Sequence, residues 1–278
     1  MPEVFRKTGL RKHTGIRRED KMNQTEKRQF LIRYLLEEQP GYRNVIIPSG
    51  SEDQRRLLRS LINIRMPGAI NEDFLKVQNE YLQEETKRKG IIRLSDLAPI
   101  RKGTYLWQGD ITTLSCDAIV NAANSGMTGC YQPCHNCIDN CIHTYAGIQL
   151  RNTCAEIMER QGYEEPTGQA KITPAYNLPC RYVIHTVGPI VRGVLTKKQE
   201  EQLASCYRSC LKIAEDNACK SIAFCCISTG VFGFPQKRAA EIAVQTVQEH
   251  RQATNSNIEV IYNVFKDEDY EIYRDLLG

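Results

Sequence analysis

The sequence predicts an α/β protein whose layered sheet is covered by helices on both faces and is preceded by an all-helical segment. Two observations predict this architecture. From about residue 91, apolar segments that suit buried strands alternate with segments of helical periodicity, whereas the chain before residue 90 has helical patterns alone. The strand segments are almost continuously apolar, which is typical of a sheet buried on both faces.

The first part of the chain is predicted to form three short amphipathic helices. The second begins with Ser51 and Gln54, which have the spacing of a capping box, and the third has Asn71 as a candidate N-cap. Each helix offers few large apolar residues, so we expect the three to pack on the rest of the chain rather than fold alone. The predicted helices and their apolar stripes are 25–39 with Phe30, Leu31, Tyr34 and Leu35; 51–65 with Leu57, Leu58, Leu61 and Ile62; and 71–89 with Phe74, Val77 and Tyr81.

The second part is predicted to contain five strands and four long helical segments. A capping box at Thr196 and Gln199 begins one helix, and Pro235 suits the first turn of the next. The predicted strands are 104–108, 117–123, 181–187, 221–227 and 258–265, and the predicted helices are 138–160, 197–216, 236–252 and 267–277.

These patterns divide the chain into a basic tail over 1–24, expected to be disordered, a helical extension over 25–95 and the α/β domain over 96–278. The tail has seven Lys/Arg against three Asp/Glu and so accounts for the whole formal net charge of +4. The remaining chain has 30 charges of each sign. A neutral folded part argues against nucleic-acid binding as the main function.

The composition also predicts a cytoplasmic protein with no membrane partner. There is no run of about 18 apolar residues that could span a bilayer, and the N-terminal segment lacks the apolar region of a secretory signal. Several of the 12 cysteines lie inside apolar runs, such as Cys225 and Cys226. This placement is typical of small buried side chains in a reducing compartment.

Polar or glycine-rich segments follow three of the predicted strands. Ligands of open parallel sheets bind beyond the carboxyl ends of the strands, so these segments should converge on one crevice. The glycines of the third segment and the helix that follows it suit an anion cradle, although a plain strand-to-helix turn would use the same residues. The asparagine and aspartate side chains could bond a nucleoside or merely cap turns. The segments are GDIT (109–112), NAANSG (121–126) and STGVFGFP (228–235).

In their order along the chain, these and neighbouring motifs resemble the macrodomain family, and most closely its MacroD-type ADP-ribosyl hydrolases. The resemblance spans about residues 100–277. It implies a three-layer α/β/α sandwich with a mixed, mostly parallel central sheet that binds ADP-ribose. The motifs are GDIT (109–112), DAIVNAAN (117–124), IDNCIHTYAGIQL (138–150), TGQAKIT (167–173), YVIHTVGP (182–189) and STGVFGFP (228–235).

The resemblance also implies which residues bind the nucleotide. Asp110 would meet the adenine amino group, the amide of Ile111 would meet the ring, and Asn124 would bond the distal ribose. Phe265, which follows the last strand, is a candidate to stack on the adenine. The residues that would wrap the diphosphate are Ser228, Thr229, Gly230, Val231 and Phe232.

One segment departs from the MacroD-type pattern. GCYQPCHNCIDNCIH (129–143) has four cysteines and two histidines where that group has a glycine run and an acidic residue. It resembles a zinc-containing macrodomain subfamily of microbes, whose ligand positions match Cys130, His135 and Cys137. Thiolates and an imidazole are ligands that suit Zn²⁺.

Three other residues of this segment are weighed against that ligand set. Cys141 lies four residues after Cys137 and could share its helix face, which makes it the strongest rival ligand. Cys134 is expected to point elsewhere. His143 matches the helical histidine of the family and is expected to pack or hydrogen-bond within the fold.

The number of ligands bears on what a zinc ion would do. Structural zinc usually has four protein ligands, whereas catalytic zinc keeps one position open for water or, here, a distal-ribose hydroxyl. Asp139 stands at the acidic position of the MacroD-type loop, so the resemblance implies that it positions or deprotonates the attacking water, assisted by Asn124 and Asn140. A carboxylate near a helix N-terminus is also favourable on dipole grounds alone.

The predicted function is that of a zinc-dependent protein-ADP-ribose hydrolase, a glycosidase that removes mono-ADP-ribose from modified protein side chains and uses one zinc ion. The alternative is a non-catalytic ADP-ribose-binding module with a structural zinc. A zinc nucleic-acid module is disfavoured because paired CxxC knuckles are absent from the sequence. Similarity to sirtuin-linked macrodomains adds an ADP-ribosylating sirtuin system as a candidate partner.

Overall fold

The computed structural model describes residues 22–278, so most of the predicted basic tail over 1–24 lies outside the described residues. Helix α1 spans Gln24–Glu38, α2 spans Ser51–Ile64 and α3 spans Glu72–Lys89. The side chain of Asn71 caps α3, as predicted, by accepting a hydrogen bond from the amide of Asp73.

The predicted capping box of α2 is wrong. Gly50 is the N-cap residue, and no side chain caps this end. Gln54 is instead buried: its Nε2 donates to the carbonyl of Pro48, and its Oε1 accepts from Nε of Arg28. A buried arginine provides a stronger partner for this amide than the helix end does, because hydrogen bonds to a charged group are the stronger ones.

A six-stranded mixed sheet forms the centre of the α/β part, as the resemblance implies. Its strand order is β2-β8-β7-β4-β6-β5, and β5 alone in this sheet runs antiparallel to its neighbour. A separate parallel pair joins β1 to β3. The strands are β1 Ile92–Arg93, β2 Thr104–Gln108, β3 Leu114–Ser115, β4 Ala118–Ala123, β5 Ala170–Pro174, β6 Tyr182–Val187, β7 Ser221–Phe224 and β8 Glu259–Val264.

The five predicted strands all occur, whereas β1, β3 and the edge strand β5 were missed. β5 reads AKITP and includes a lysine and a proline, and such residues are tolerated at a sheet edge but not in a central strand. The pattern of β5 is therefore too polar to be recognised by apolar continuity. The predicted strand over 221–227 is also shorter than expected, because the chain leaves the sheet after Phe224.

Five helices complete the α/β part: α4 Ile138–Ala146, α5 Ile148–Gln161, α6 Lys197–Asp216, α7 Gln236–Thr254 and α8 Asp267–Leu277. The capping box at Thr196 and Gln199 is confirmed. Pro235 stands one position earlier than predicted, at the N-cap of α7. The single helix predicted over 138–160 is two helices, because Gly147 adopts φ 94° and ψ 171° between them.

The two largest hydrophobic cores of the described residues lie on either side of the junction between the extension and the α/β part. The larger core surrounds the sheet, whose central strands β4, β6, β7 and β8 are buried almost throughout. The smaller core is formed by α1, α2 and α3 and is completed by Ile148 of α5. The three N-terminal helices thus pack on the α/β part through a residue that belongs to it.

Arg151 of α5 fixes the end of α2. Its Nη1 donates to the carbonyl oxygens of Ile62, Asn63 and Arg65 at 3.0, 2.8 and 2.6 Å. These carbonyls belong to the last turn of α2, where helix geometry leaves carbonyl groups without an intrahelical partner. A buried cation therefore caps α2 from another part of the fold.

In the part of the chain that the structure describes, no helix is both long enough and apolar enough to span a bilayer.

Candidate functional site

The predicted ligand segments meet at one edge of the sheet. Because β2, β8, β7, β4 and β6 are parallel, the segments that follow them leave from the same edge. Gly109 donates its amide to the carbonyl of Val264 at 3.0 Å, which joins the ends of β2 and β8. Val191, beyond β6, donates to the carbonyl of Phe232 at 2.8 Å, which joins the segment after β6 to the loop after β7.

Asp110 lies at one end of this edge and has both carboxylate oxygens engaged. Its Oδ1 accepts from the amide and the hydroxyl of Thr112 at 3.0 and 2.6 Å. Its Oδ2 accepts from Nζ of Lys89, the last residue of α3, at 2.9 Å. Although burial opposes it, these hydrogen bonds and the lysine charge lower the pKa of Asp110 below its usual value. Asp110 is thus a fixed carboxylate, and the side chain of the adjacent Ile111 is buried beside it.

The loop over 228–235 forms a compact turn before α7. Ser228 has φ 66°, and its carbonyl accepts from the amide of Phe234, while the amide of Gly233 donates to the carbonyl of Gly230, each at 3.0 Å. Ser228 is buried, whereas Val231 is 80% exposed at the tip. The turn therefore presents its tip outward from a fixed base, as an anion cradle requires.

Gly188 explains how the base of this loop fits against the segment after β6. A Cβ atom at Gly188 would lie 2.0 Å from Oγ of Ser228. No L-residue with a side chain could occupy this position without moving the loop. The Ser228 hydroxyl is buried and has no hydrogen-bond partner within residues 22–278.

The structure brings Cys130, His135 and Cys137 together. One possible ligand atom from each residue lies within 4.8 Å of the others, and the three side chains are half-buried. Sγ of Cys130 lies 3.7 Å from Nδ1 of His135. Cys137 is the N-cap of α4, and its Sγ accepts from the amide of Asn140 at 3.4 Å. Two sulfurs and an imidazole in this arrangement fit a zinc ion.

The ionisation of Cys137 depends on whether a cation is bound beside it. Burial, opposed by the hydrogen bond from Asn140 and aided by the nearby Cys130 and Asp139, raises the pKa of the Cys137 thiol to about 12. A thiol in this position stays protonated at neutral pH unless a cation stabilises the thiolate, and a coordinated thiol is deprotonated outright.

Neither of the other two cysteines of the segment joins this group. Cys134 has φ 53°, and its Sγ lies 3.2 Å from Oγ of Ser60 in α2. Sγ of Cys141 lies 3.6 Å from Nη2 of Arg59, which donates to it. Both thiols therefore have their own neighbours in α2, and among the described residues the group of donors has three members.

Asp139 is buried behind the donor group and is held by two asparagines. Nδ2 of Asn121 donates to its Oδ1 at 2.8 Å, and Nδ2 of Asn124 donates to its Oδ2 at 3.3 Å. Burial outweighs these hydrogen bonds and raises the pKa of Asp139 to about 6. The carboxylate remains largely ionised at neutral pH and is a stronger base than an ordinary aspartate, as general-base catalysis requires.

Asn140, which the resemblance implies as an assistant in catalysis, has its side chain engaged within the fold. It is fully buried, and its Nδ2 donates to the carbonyls of Cys130 and Gln132 at 3.3 and 3.0 Å. Its Oδ1 accepts from Arg59. These contacts favour a positioning role in the cysteine-rich loop over direct assistance in catalysis.

Phe265 is 77% exposed and directly follows β8. Its carbonyl accepts from Nε2 of Gln108 at 3.3 Å, which ties it to the end of β2. An exposed ring at this edge is available to a planar ligand. Phe265 follows β8, and β8 pairs with β2, the strand that leads to Asp110.

Sequence reasoning missed the contacts of three residues around the site. Asn121 lies within the quoted NAAN segment but in the strand itself, with its side chain buried. His185 of β6 lies 3.1 Å from Nδ2 of Asn121 and 3.0 Å from Oγ1 of Thr173. Arg59 comes from the extension. For Asn121 and His185, the sequence signal was a polar residue within an apolar strand. For Arg59, the local sequence offers no signal of a role at the site.

His143 and His185 form a second group with Cys154, and one possible ligand atom from each also lies within 4.8 Å of the others. All three are buried, and both nitrogens of His185 already have neighbours in Asn121 and Thr173. This group is therefore a packed polar cluster behind Asp139.

Comparisons with known proteins agree with this geometry. A family model described as Macro domain matches residues 120–243. A protein-ADP-ribose hydrolase of Treponema medium is 57% identical over 261 residues, which cover 92% of this chain and 100% of that protein. A solved Oceanobacillus iheyensis macrodomain with ADP is 38% identical, with a TM-score of 0.58, and the match covers 65% of this chain and 93% of that one.

A Trypanosoma brucei macrodomain in complex with ADP-ribose is 28% identical, with a TM-score of 0.61, and the match covers 79% of this chain and 95% of that one. The sheet order, the convergent loops and these similarities agree, and the chain belongs to the macrodomain family.

Proposed function

We propose that this protein is a protein-ADP-ribose hydrolase that removes mono-ADP-ribose from modified side chains of proteins with the help of one zinc ion. The observation that carries the proposal is the placement of a buried carboxylate, Asp139, two residues after the last of three zinc-type donors. The name of the Treponema medium relative supports the hydrolase activity. Macrodomain structures that contain ADP or ADP-ribose support the ligand.

The nucleotide would lie along the carboxyl edge of the sheet. Asp110 and the amide of Ile111 would bind the adenine at one end, with Phe265 stacking on the ring. The loop over 228–235 would surround the diphosphate with the backbone of Ser228, Thr229, Gly230, Val231 and Phe232. This order leaves the distal ribose near Asn124 and the cysteine-rich loop, because both follow β4.

Cys130, His135 and Cys137 would hold the metal. When bound, a zinc ion with one open ligand position supplies Lewis-acid polarisation of a nearby oxygen. The chain itself holds these donors at the N-terminus of α4 and excludes the two other thiols of the segment from the group.

Asp139 would act on the attacking water. In the hydrolysis, the water oxygen bonds to C1 of the distal ribose and keeps one hydrogen as the new hydroxyl, while the bond from C1 to the protein side chain breaks. The other hydrogen leaves the water as a proton, which Asp139 would accept and pass to the leaving side chain. Asp139 would orient the water and accept its proton, since its raised pKa makes it a stronger base than an exposed aspartate. Asn121 and Asn124 hold the carboxylate at a fixed angle, so little reorganisation is needed at the moment of reaction.

Two further proposals rest on the resemblance to the subfamily. One is that the modified proteins are products of an ADP-ribosylating sirtuin system. The other is that the enzyme works in the cytoplasm, for which the placement of cysteines such as Cys206, Cys210 and Cys225 as buried free thiols gives support.

The alternative function is an ADP-ribose-binding module with a structural metal. Both functions require the nucleotide crevice, whereas the hydrolase alone requires the carboxylate of Asp139. Replacing this residue therefore separates them.

Asp139→Asn keeps the shape of the side chain and removes its basicity. We expect the release of ADP-ribose from a mono-ADP-ribosylated protein to fall by about 10²- to 10⁴-fold, the range for loss of a general base, while binding of free ADP-ribose changes little. Product release and calorimetric binding measure the two properties separately. Asp53→Asn, in the exposed first turn of α2, is the matched control. No turnover in the wild type would favour the binding module, whereas turnover that is unchanged in Asp139→Asn would contradict the proposed role of Asp139.

A further inference from the structure

Arg59 of α2 contacts the cysteine-rich loop at several points. Its Nη2 donates to the carbonyl of His135 at 2.7 Å and to Oδ1 of Asn140 at 3.0 Å, and its Nε lies 3.3 Å from the same Oδ1. The same guanidinium donates to Sγ of Cys141 at 3.6 Å. One side chain of the extension thus engages the backbone of one proposed metal ligand and two residues of α4.

Asn140 passes this contact on to the rest of the loop. While its Oδ1 accepts from Arg59, its Nδ2 donates to the carbonyls of Cys130 and Gln132. Arg59 and Asn140 together therefore fix the backbone at two of the three proposed ligands, Cys130 and His135. The fixed fork of a guanidinium is suited to holding several acceptors in one geometry.

Helix α2 is itself fixed against the fold, so Arg59 has a rigid base. Asn63, one turn further along α2, accepts from the amide of Cys134 at 2.9 Å and donates to Oγ1 of Thr144 at 2.9 Å. Arg151 caps the end of α2 and donates through Nε to the carbonyl of Thr128 at 2.8 Å. The loop is thus tied to α2 directly at Cys134 and His135, and Thr128 is linked to α2 through Arg151 of α5.

We propose that Arg59 is a positioning residue of the metal site: by fixing the His135 backbone and Asn140 from the N-terminal extension, it holds the Cys130–His135–Cys137 donor group in its binding geometry. This assignment rests on the proposed metal site of the hydrolase. It gives the helical extension a role in the chemistry that its distance in sequence does not suggest.

The test compares zinc binding by Arg59→Met, Arg59→Lys and the wild type as full chains. Methionine keeps an unbranched stem without donors, whereas lysine keeps one charge but not the fork. We expect the zinc dissociation constant of Arg59→Met, measured by competition with a chelator of known affinity, to rise by about 10- to 100-fold, the range for lost partners of metal ligands. The dissociation constant of Arg59→Lys should lie between those of the wild type and Arg59→Met. Arg56→Met, which changes an exposed side chain of the same helix and keeps the backbone carbonyl that accepts from Cys134, should bind zinc like the wild type.

Thermal unfolding with and without zinc separates positioning from general stability. Loss of the Arg59 hydrogen bonds lowers the melting temperature of the metal-free protein as well, so the increase produced by zinc is the informative quantity. A positioning role predicts that this increase is smaller in Arg59→Met than in the wild type, because weaker binding gives less stabilisation. Should Arg59→Met fold poorly, Arg59→Lys carries the same comparison. Equal zinc affinities of wild type and both variants, or an equal loss of melting temperature with and without zinc, would overturn the proposal.

The outcome is distinguishable from a failure of the proposed function. A wild type that binds no zinc overturns both. If Arg59→Met weakens zinc binding as expected while hydrolysis by the wild type is independent of zinc, the assignment of Arg59 stands and the zinc part of the proposed function is wrong.

Discussion

The polar chain behind Asp139 shows how single residues set its orientation. Asn121 donates to Asp139 and lies 3.1 Å from Nδ1 of His185, so Nδ1 is the accepting nitrogen of a neutral ring. Nε2–H of His185 can then donate to Oγ1 of Thr173, 3.0 Å away. Because a protonated ring would leave Nδ1–H facing an amide donor, the chain requires neutral His185.

The neutral state of His185 has a consequence for stability. Burial lowers the pKa of His185 to about 3, whereas a histidine in the unfolded chain has a pKa of about 6.5. The unfolded state therefore binds a proton first as the pH falls, and the contribution of this residue to stability is complete above the unfolded pKa and is lost as pH falls toward the folded one. Between about pH 6.5 and pH 5 the loss should be on the order of 2 kcal/mol.

Urea unfolding of metal-free protein at several pH values measures this loss. His143, whose pKa burial also lowers, contributes in the same direction, and Asp139, whose pKa burial raises, contributes in the opposite one. Cys154 lies 3.8 Å from the ring and stays a neutral thiol, since burial raises its pKa to about 12. We therefore compare the wild type with His185→Gln. As the pH is lowered, the free energy of unfolding of His185→Gln should decrease less steeply than that of the wild type. Equal slopes would contradict the assignment of a neutral His185.

At the scale of elements, Gly147 decides that two helices replace one. Its φ of 94° and ψ of 171° lie in a region that is essentially restricted to glycine. A Cβ atom there would lie 2.7 Å from Nε2 of Gln78 and 3.0 Å from Nδ2 of Asn177. The break turns α5 so that Ile148 enters the core of the extension.

Gly147→Ala should therefore destabilise the fold by roughly 2–4 kcal/mol, which combines the unfavourable backbone conformation with the steric overlap. Gly162→Ala is the control, because Gly162 also has a positive φ but nothing lies within 4 Å of its added Cβ. The control should lose only about 1–2 kcal/mol. Chemical denaturation measures the free energy of unfolding of both variants. Similar losses would show that the close contacts around Gly147 do not contribute to the cost.

Helix α3 reaches the proposed adenine end of the crevice through its last residue. Nζ of Lys89 donates to Asp110 and lies 3.2 Å from the centre of the Tyr145 ring. The pair is partly exposed, so its free energy is small, on the order of 0–1 kcal/mol. Its effect is to fix the direction of the carboxylate.

Lys89→Met should accordingly weaken binding of ADP-ribose by about 2- to 5-fold. Binding of ribose 5-phosphate, which lacks adenine, should not change. Calorimetric titration with the two ligands provides the comparison, and Lys87→Met, at an exposed position of the same helix, provides the control. A loss of affinity for both ligands, or an equal effect of Lys87→Met, would argue against a role of Lys89 at the adenine end.

Elements whose pattern is local were predictable from the sequence. Helix α6 and strand β2 occur at their predicted bounds, because a capping box begins the first and an apolar run defines the second. The break at Gly147 was not predictable, since glycine within a helical pattern is usually tolerated and only tertiary contacts decide the outcome. The uncapped start of α2 has the same cause, because a buried Arg28 takes up Gln54.

At the scale of the whole molecule, the extension touches both ends of the proposed crevice. Lys89 contacts Asp110 at the adenine end, and Arg59 contacts the cysteine-rich loop at the other end. Between these two ends, Arg151 and Ile148 of α5 contact the extension. The extension is thus placed to set the distance between the two ends of the site.

The candidate site was predictable as far as its residues are close in sequence. Cys130, His135 and Cys137 lie within eight residues, so a short loop could bring them together, and the motif identifies them. Arg59 precedes Asn140 by 81 residues, and a lone arginine on an amphipathic helix usually faces solvent. Its contact depends on how α2 packs, which no local pattern specifies.

The most direct test of the account is the release of ADP-ribose from a mono-ADP-ribosylated protein by zinc-loaded, metal-stripped and zinc-restored enzyme, with Cys137→Ala beside the wild type. We predict that stripping abolishes turnover, that zinc restores it to the wild type alone, and that both proteins remain folded by circular dichroism. Full turnover by folded protein from which zinc is demonstrably absent would contradict the account.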